Sequence, residues 1–498
     1  MEKIIQYFME VCINELFEVE ETFYKNPSDF AGYISGLKAA LDKLGVELTR
    51  NTLEKMDSAI KNSQKRKNNW YVEKKNCEKD LITTIGTVSF KKTLYVSKTE
   101  KDESGKPVMC YLLDKVLGLS ENQRLTEDAM AKVYEEAAQT SYRRGGEAIN
   151  ETDCIRKSAV KDLLHKTEFP EIIPEIDKKR KVEYLYIDAD EDHYALQFQE
   201  KKGDLQISSN GRKKNGAITK LVYVYEGIEK ESPTSKRNRL VNTKYFCCGA
   251  DESNKEFWGR VRRYIEAIYE VETIKKIYLN SDGGAWIKEG LNQLYNTEFV
   301  LDEFHLSKYV LQMTSHMLDS QYDAKVEVCK VIRNQTKKEF RELTEMLKEY
   351  TDKESEKMRI EDASVYIQKN WSAAKRRLWR RDGIFACSAE GHVSHVLASR
   401  MSTQAMGWSR IGASKMARLR EWYYNKESML ELVRNQKKEM PLAAGAEEII
   451  ASAEDILKSE KDTRTKIMRE TARYAETMQG SLEIKTKRQL SFYINRWI

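Results

Sequence analysis

The stretch from residue 274 to 309, IKKIYLNSDGGAWIKEGLNQLYNTEFVLDEFHLSKY, decides the fold. Ile277, Tyr278 and Leu279 form a short apolar run closed by Asn280, Ser281, Asp282 and a glycine pair; Phe299, Val300 and Leu301 form a second run closed by Asp302, with His305 three residues on. Apolar runs bounded by turn residues and separated by a helical pattern predict parallel strands. In open sheets of this kind the chemistry lies beyond the carboxyl ends of the strands. Asp282 and Asp302 are therefore candidate functional acids.

Working outward, Val182 to Gln199, VEYLYIDADEDHYALQFQ, reads as a strand, an acid-rich turn and a second strand. Residues 219–228 and 243–250 are further strands, separated by basic loops containing Lys201, Lys202, Arg212, Lys213, Lys214, Lys236, Arg237 and Arg239. An amphipathic helix follows from Phe257 to Val271. An antiparallel meander followed by parallel strands with crossover helices is the order of an RNase H-like domain. Residues 303–380 read as charged helices, ending in a basic run with Trp371, Lys375, Arg376, Arg377, Trp379, Arg380 and Arg381. Tryptophans among cations suit backbone contact and base stacking on DNA. An equally good reading turns the tryptophans inward and leaves the charges solvated.

Toward the amino terminus, residues 1 to about 60 carry two apolar helical stripes, and 61–69 form a polar basic linker. Strand-like runs from Trp70 to Val96, broken at Gly86, predict a small β-hairpin. Residues 126–166 have a helix-turn-helix layout, with Arg156, Lys157, Ser158 and Lys161 on the last helix facing a DNA backbone or groove, or else plain solvent. Pro170 and Pro174 mark a boundary.

A chain of 498 residues exceeds one ordinary core. Its 85 basic and 79 acidic residues leave a net charge of +6, too small a bias to identify a nucleic-acid partner without local clusters. No apolar run reaches the roughly 20 residues of a membrane span, and the acidic first helix is not a signal peptide. The 8 cysteines form no C-x-x-C pair, which argues against structural zinc or a disulfide framework and fits a reducing cytoplasm.

Asp188, Asp190 and Asp192 are spaced by two and share one strand face. With Asp282, and with Glu390 beside His392 and His395 in a polar segment, they make up the carboxylate set that a two-metal phosphodiester site uses. Hard oxygen donors select Mg²⁺ or Mn²⁺.

The segments LYIDADEDHYALQ, NSDGGAWIK, LDEFHLSKY and CSAEGHVSHVLASRMS…MGWS…KMARLR, with LLDKVLG and the helix-turn-helix-like region, resemble the ISLre-type insertion-sequence transposases, relatives of the Mutator-like DDE transposases. The resemblance covers nearly the whole chain. It implies an α/β RNase H-like catalytic core with a mixed five-stranded sheet, an α-helical insertion and largely helical terminal regions. The implied division is 1–60 helical, 61–111 linker and small β segment, 112–170 DNA-binding, 178–310 first part of the core, 311–383 insertion, 384–425 return with the third acid, and 426–498 helical.

Carried over residue by residue, the resemblance implies Asp190, Asp282 and Glu390 as the catalytic, metal-holding acids. Asp188 and Asp192 stand as accessories, and Asp302 and His305 match a D-x-x-H motif that positions the metal site or substrate strand. Trp408 is a candidate for stacking on a terminal base or for the core. The implied activity is Mg²⁺-dependent cleavage of element ends at terminal inverted repeats and strand transfer into target DNA. It is carried out by a dimer or higher oligomer on double-stranded DNA in the bacterial cytoplasm, with two metal ions and no membrane. The alternatives are an RNase H-like nuclease that never joins, and a catalytically silent DNA-binding regulator.

Overall fold

The computed structural model describes residues 7, 11–198, 215–249, 252–380, 383–385, 388–404 and 406–436. Lys201, Lys202, Arg212, Lys213, Lys214, Arg381 and the stretch from 437 to 498 lie outside the described residues. The chain divides into two compact units: one takes the residues up to Ala129 with Asn150–Asp153, the other Met130–Ile149 and Cys154–Gln436.

The first unit begins with helices α1 (Ile13–Lys25) and α2 (Phe30–Asn62). Asp29 caps α2 by accepting the Gly32 N–H at 2.9 Å. The apolar stripes pair the helices, with Phe23 stacked on Tyr33 at 4.6 Å. The stretch read as a linker instead carries a short helix, α3 (Gln64–Asn69), because Ser63 caps it through the Arg66 N–H. The hairpin expected near 70–96 is the larger part of a three-stranded antiparallel sheet: β1 (Trp70–Thr83), β2 (Gly86–Lys101) and β3 (Pro107–Cys110). Gly86 turns it with φ +131, a value that favours glycine. Leu53 and Ile60 of α2 pack with Leu81, Val88, Phe90 and Tyr95. The buried Asp57 locks helix to sheet by accepting both the backbone N–H (2.9 Å) and the hydroxyl (2.7 Å) of Thr93. Helix α4 (Leu112–Val116) closes this core.

Helices α5 (Glu127–Gln139), α6 (Tyr142–Glu147) and α7 (Lys157–Lys166) follow. Val160 and Leu164 are buried, while Arg156, Lys157 and Lys161 face solvent.

The centre of the second unit is a five-stranded mixed sheet. Strands β4 (Tyr184–Ala195), β5 (Gly216–Tyr225) and β8 (Lys244–Cys248) run antiparallel; β9 (Lys276–Ser281) pairs parallel with β4, and β10 (Thr297–Leu301) parallel with β9. Strands β6 (Gly227–Lys230) and β7 (Asn238–Val241) form a separate ribbon.

The acid-rich segment expected to turn between two strands is instead one continuous strand. The ladder of β4 on β5 runs without a register shift from Tyr186↔Tyr225 to Ala195↔Gly216. Alternation explains this: Leu185, Ile187 and Ala189 face helix α8 (Asn254–Ile268) through Phe257, Trp258, Val261 and Ile265. The intervening Tyr186, Asp188, Asp190 and Asp192 share the opposite face. That face is lined by a tyrosine ladder in which Tyr186 stacks on Tyr225 (5.3 Å) and on Tyr278 (5.9 Å).

Helix α9 (Ala285–Gly290) connects β9 to β10. Helices α10 (Glu303–Thr314), α11 (Gln321–Asn334), α12 (Lys337–Glu349), α13 (Glu354–Lys369) and α14 (Trp371–Trp379) build a helical layer around Leu306, Val310, Ile332, Phe340, Ile360, Ile367 and Trp371. The chain returns through α15 (Ala389–Val393) and α16 (Ser399–Met401), and ends its described part with α17 (Arg410–Tyr424) and α18 (Met429–Arg434).

Among the described residues, no helix is long and apolar enough to cross a membrane.

Candidate active site

The parallel pairing of β4 with β9 ends at Asp188↔Asn280. Two places further along that register, Asp190 stands level with Asp282, which directly follows the last residue of β9. Both are half-buried. Asp302, directly after β10, is buried and caps α10. Three adjacent strands thus deliver an acid to the same end of the sheet.

Asp190 accepts the Glu191 N–H at 2.8 Å. Its carboxyl is pushed up to about 7, first by burial and then by the negative charges of Asp282 and Glu390, against a lowering pull from His305. Asp282, Glu390 and His305 therefore each lie within electrostatic reach of Asp190, although Glu390 is contributed by α15, beyond the helical layer. Asp282 accepts the Gly284 N–H at 2.9 Å, which orients its carboxylate across the turn.

Asp302 accepts the backbone N–H of His305 at 2.9 Å and contacts its Nδ1 at 3.2 Å. The imidazole is raised above its ordinary value by that hydrogen bond, then by the charges of Asp302, Asp282 and Asp190. With Nδ1 engaged, Nε2 is the ring nitrogen left for the acids or a substrate.

Asp188 and Asp192 have different roles. Asp188 is fully buried and accepts from Tyr223 Oη (2.7 Å), Tyr225 Oη (3.1 Å), Asn280 Nδ2 (2.6 Å) and the Ser388 N–H (3.1 Å). It joins β4, β5 and β9 to the segment that delivers Glu390. Asp192 is buried against Ser402, whose hydroxyl donates to it at 2.8 Å, and burial raises its pKa. His392, two residues after Glu390, bonds Tyr245 Oη through Nδ1 at 2.9 Å and lies 4.4 Å from the Tyr223 ring, so α15 rests on the tyrosine face. Sequence alone missed Tyr223, Tyr225, Asn280, Ser388 and Ser402. Only Asn280, a polar residue closing an apolar run, carried a local signal.

The basic run on α14 divides by burial: Trp371 and Arg377 are buried, Lys375 and Arg376 half-buried, and Trp379 and Arg380 exposed. Trp371 packs on Phe340 in the helical core at 5.3 Å. Arg377, 1% exposed, donates to Leu301 O (2.7 Å), Asn280 Oδ1 (2.6 Å) and Phe385 O, tying the helix to the ends of β9 and β10. Arg376 pairs with Glu298 at 3.2 Å and donates to Phe299 O at 3.0 Å. Arg380 pairs with Glu303, and Lys375 donates to Gln335 O at 2.8 Å. Carbonyls freed at strand and helix ends attract these cations. Trp408 is likewise core: its Nε1 donates to Met401 O at 2.9 Å, and Arg400 lies 5.0 Å over its ring. Buried Arg400 and Arg420 donate to Ala137 O and Ala138 O, the last-turn carbonyls of α5.

Three carboxylates at one sheet end, one held partly protonated by burial and like charge, provide hard oxygen donors of the kind that divalent cations take. Among the described residues no three acidic, histidine or cysteine side chains are gathered closely enough to form a ready-made metal cluster.

The second unit is thus a five-stranded mixed sheet packed with helices. The chain belongs to the uncharacterised protein family UPF0236, whose family model matches residues 24–439. A UPF0236 protein of Caldanaerobacter subterraneus subsp. tengcongensis, whose single name joins many loci, is 34% identical over 427 residues, covering 85% of this chain and 84% of the relative. A second UPF0236 protein of that bacterium is 33% identical over 435 residues, covering 86% and 87%. Among solved structures, a chain of a Drosophila P element transposase strand transfer complex aligns at 10% identity over 61% of this chain and 93% of that chain. Its TM-score of 0.27 is too low to establish a shared fold.

Proposed function

We propose that this protein is a DNA transposase of a bacterial insertion sequence, with an RNase H-like core and a divided Asp190–Asp282–Glu390 site. The observation that carries the reading is the electrostatic convergence of these three carboxylates at one end of the sheet, from segments far apart in the chain. Relatives whose names each gather several loci of one bacterium fit a gene that moves and multiplies.

Asp190, Asp282 and Glu390 would hold Mg²⁺ or Mn²⁺. When bound, two such ions activate the attacking oxygen and offset charge at the phosphorus. Asp302 fixes the His305 ring, so that Nε2 can hold a proton or contact a phosphate oxygen beside the acids. Arg156, which precedes α7, and Lys157 and Lys161 on it are exposed and supply backbone contacts to duplex DNA. The test is incubation of the full chain with element-end DNA, target DNA and Mg²⁺. Joined products support transposition, cleavage without joining indicates a nuclease, and binding without cleavage indicates a regulator.

A further inference from the structure

The helical layer touches the acid end of the sheet at one place that none of the roles above explains. Tyr366, on α13, donates its hydroxyl to the backbone carbonyl of Asp282 at 2.5 Å. Its ring stacks on Tyr309 of α10 with centroids 3.8 Å apart and planes 20° from parallel. A tyrosine held this way has little rotamer freedom, so the hydroxyl is a fixed donor rather than a passing contact. The turn after Asp282 is confined as well. Gly283 has φ +88, and a Cβ there would fall 2.8 Å from Asn370 Oδ1 and 3.2 Å from the Phe299 ring. Asn370, between α13 and α14, is buried and accepts from Lys288 Nζ at 3.1 Å.

We propose that Tyr366 is a positioning residue that acts through Asp282, so that the helical layer sets the geometry of the acid site as well as separating its second and third acids in sequence. The inference rests on the reading of Asp282 as a cation-holding carboxylate. The hydroxyl binds the carbonyl rather than the carboxylate, and so fixes the plane of the 282–283 peptide. The Gly284 N–H then holds Asp282 Oδ1 from the other side of the turn. Without the hydroxyl, that peptide plane can rotate and the carboxylate moves with it. A displacement of about 1 Å at a catalytic group is costly.

The test compares the full-length wild type with Tyr366→Phe, Asp282→Asn and Tyr322→Phe, the last altering an exposed tyrosine of the same helical layer. Mn²⁺ binding is read from the paramagnetic resonance of free Mn²⁺, alongside circular dichroism and DNA affinity. The expected result is loss of Mn²⁺ binding in Asp282→Asn and a roughly fivefold weaker Mn²⁺ affinity in Tyr366→Phe, the scale of one hydrogen bond. Tyr322→Phe is expected to match the wild type, with fold and DNA affinity retained in all variants. Tyr366→Phe binding Mn²⁺ within about twofold of the wild type, while Asp282→Asn loses it, overturns this inference and leaves the proposed site standing. A wild type that binds no Mn²⁺ overturns both.

Discussion

Asp190 carries its proton to about neutral pH because burial and the charge of Asp282, level with it on the next strand, both oppose its ionisation. This raised group makes the metal-free protein sensitive to pH in a definite direction. A carboxyl raised in the folded state contributes stability below its unfolded value and loses it as pH rises through the folded one. For Asp190 that window runs from its ordinary 3.8 to about 7. His305, also raised, contributes below its ordinary 6.5 and loses that contribution as pH climbs through its higher folded value. Melting of metal-free protein should therefore fall between pH 5 and pH 8, and Asp190→Asn should flatten the fall. A melting temperature that rises over that range would contradict the assignment.

Asp188 and Asp190 lie two residues apart on one strand face, yet their replacement should have opposite consequences. Asp188→Asn places an amide among four donors and should cost about 2–3 kcal/mol, read as a lower urea midpoint. Asp190→Asn should leave the fold intact, and at pH 8 without metal it should raise the midpoint. Equal losses in both variants would show that the two aspartates share one structural role.

Arg377 and the cations of α7 should separate in the same way. Arg377→Leu leaves Asn280, Leu301 and Phe385 oxygens without their donor and should cost about 3 kcal/mol or more. Joint replacement of Arg156, Lys157 and Lys161 by Ala should change stability by only about 0.5 kcal/mol. It should weaken DNA binding and reduce its salt slope by roughly one per cation. A DNA affinity untouched by the triple change would remove α7 from the interface.

The parallel strands were legible because Ile277–Leu279 and Phe299–Leu301 are short apolar runs that end on acids, and register then sets Asp190 beside Asp282. Three features were not. Alternation alone gives Asp188, Asp190 and Asp192 the same face, and only the partners supplied by Tyr223, Tyr225, Asn280 and Ser402 distinguish them. The acid run looked like a turn because local composition cannot show that distant donors satisfy Asp188 and that Ser402 donates to one oxygen of Asp192. The basic run of α14 looked solvated because charge usually is; Arg377 is buried because strand ends leave carbonyls that need a donor.

His305 should report the same site from its other side. Asp302→Asn removes the charge behind the hydrogen bond that chiefly raises the imidazole, so in metal-free protein its pKa should fall toward the ordinary value. An unchanged imidazole titration by NMR would mean that Asp302 serves only as the cap of α10.

The most direct test of the central claim is the action of the full chain on end-bearing DNA with Mg²⁺, comparing wild type with Asp282→Asn. The expected result is cleaved and joined product from the wild type, with neither from Asp282→Asn despite unchanged folding and DNA affinity. Cleavage or joining that persists in Asp282→Asn would contradict the account.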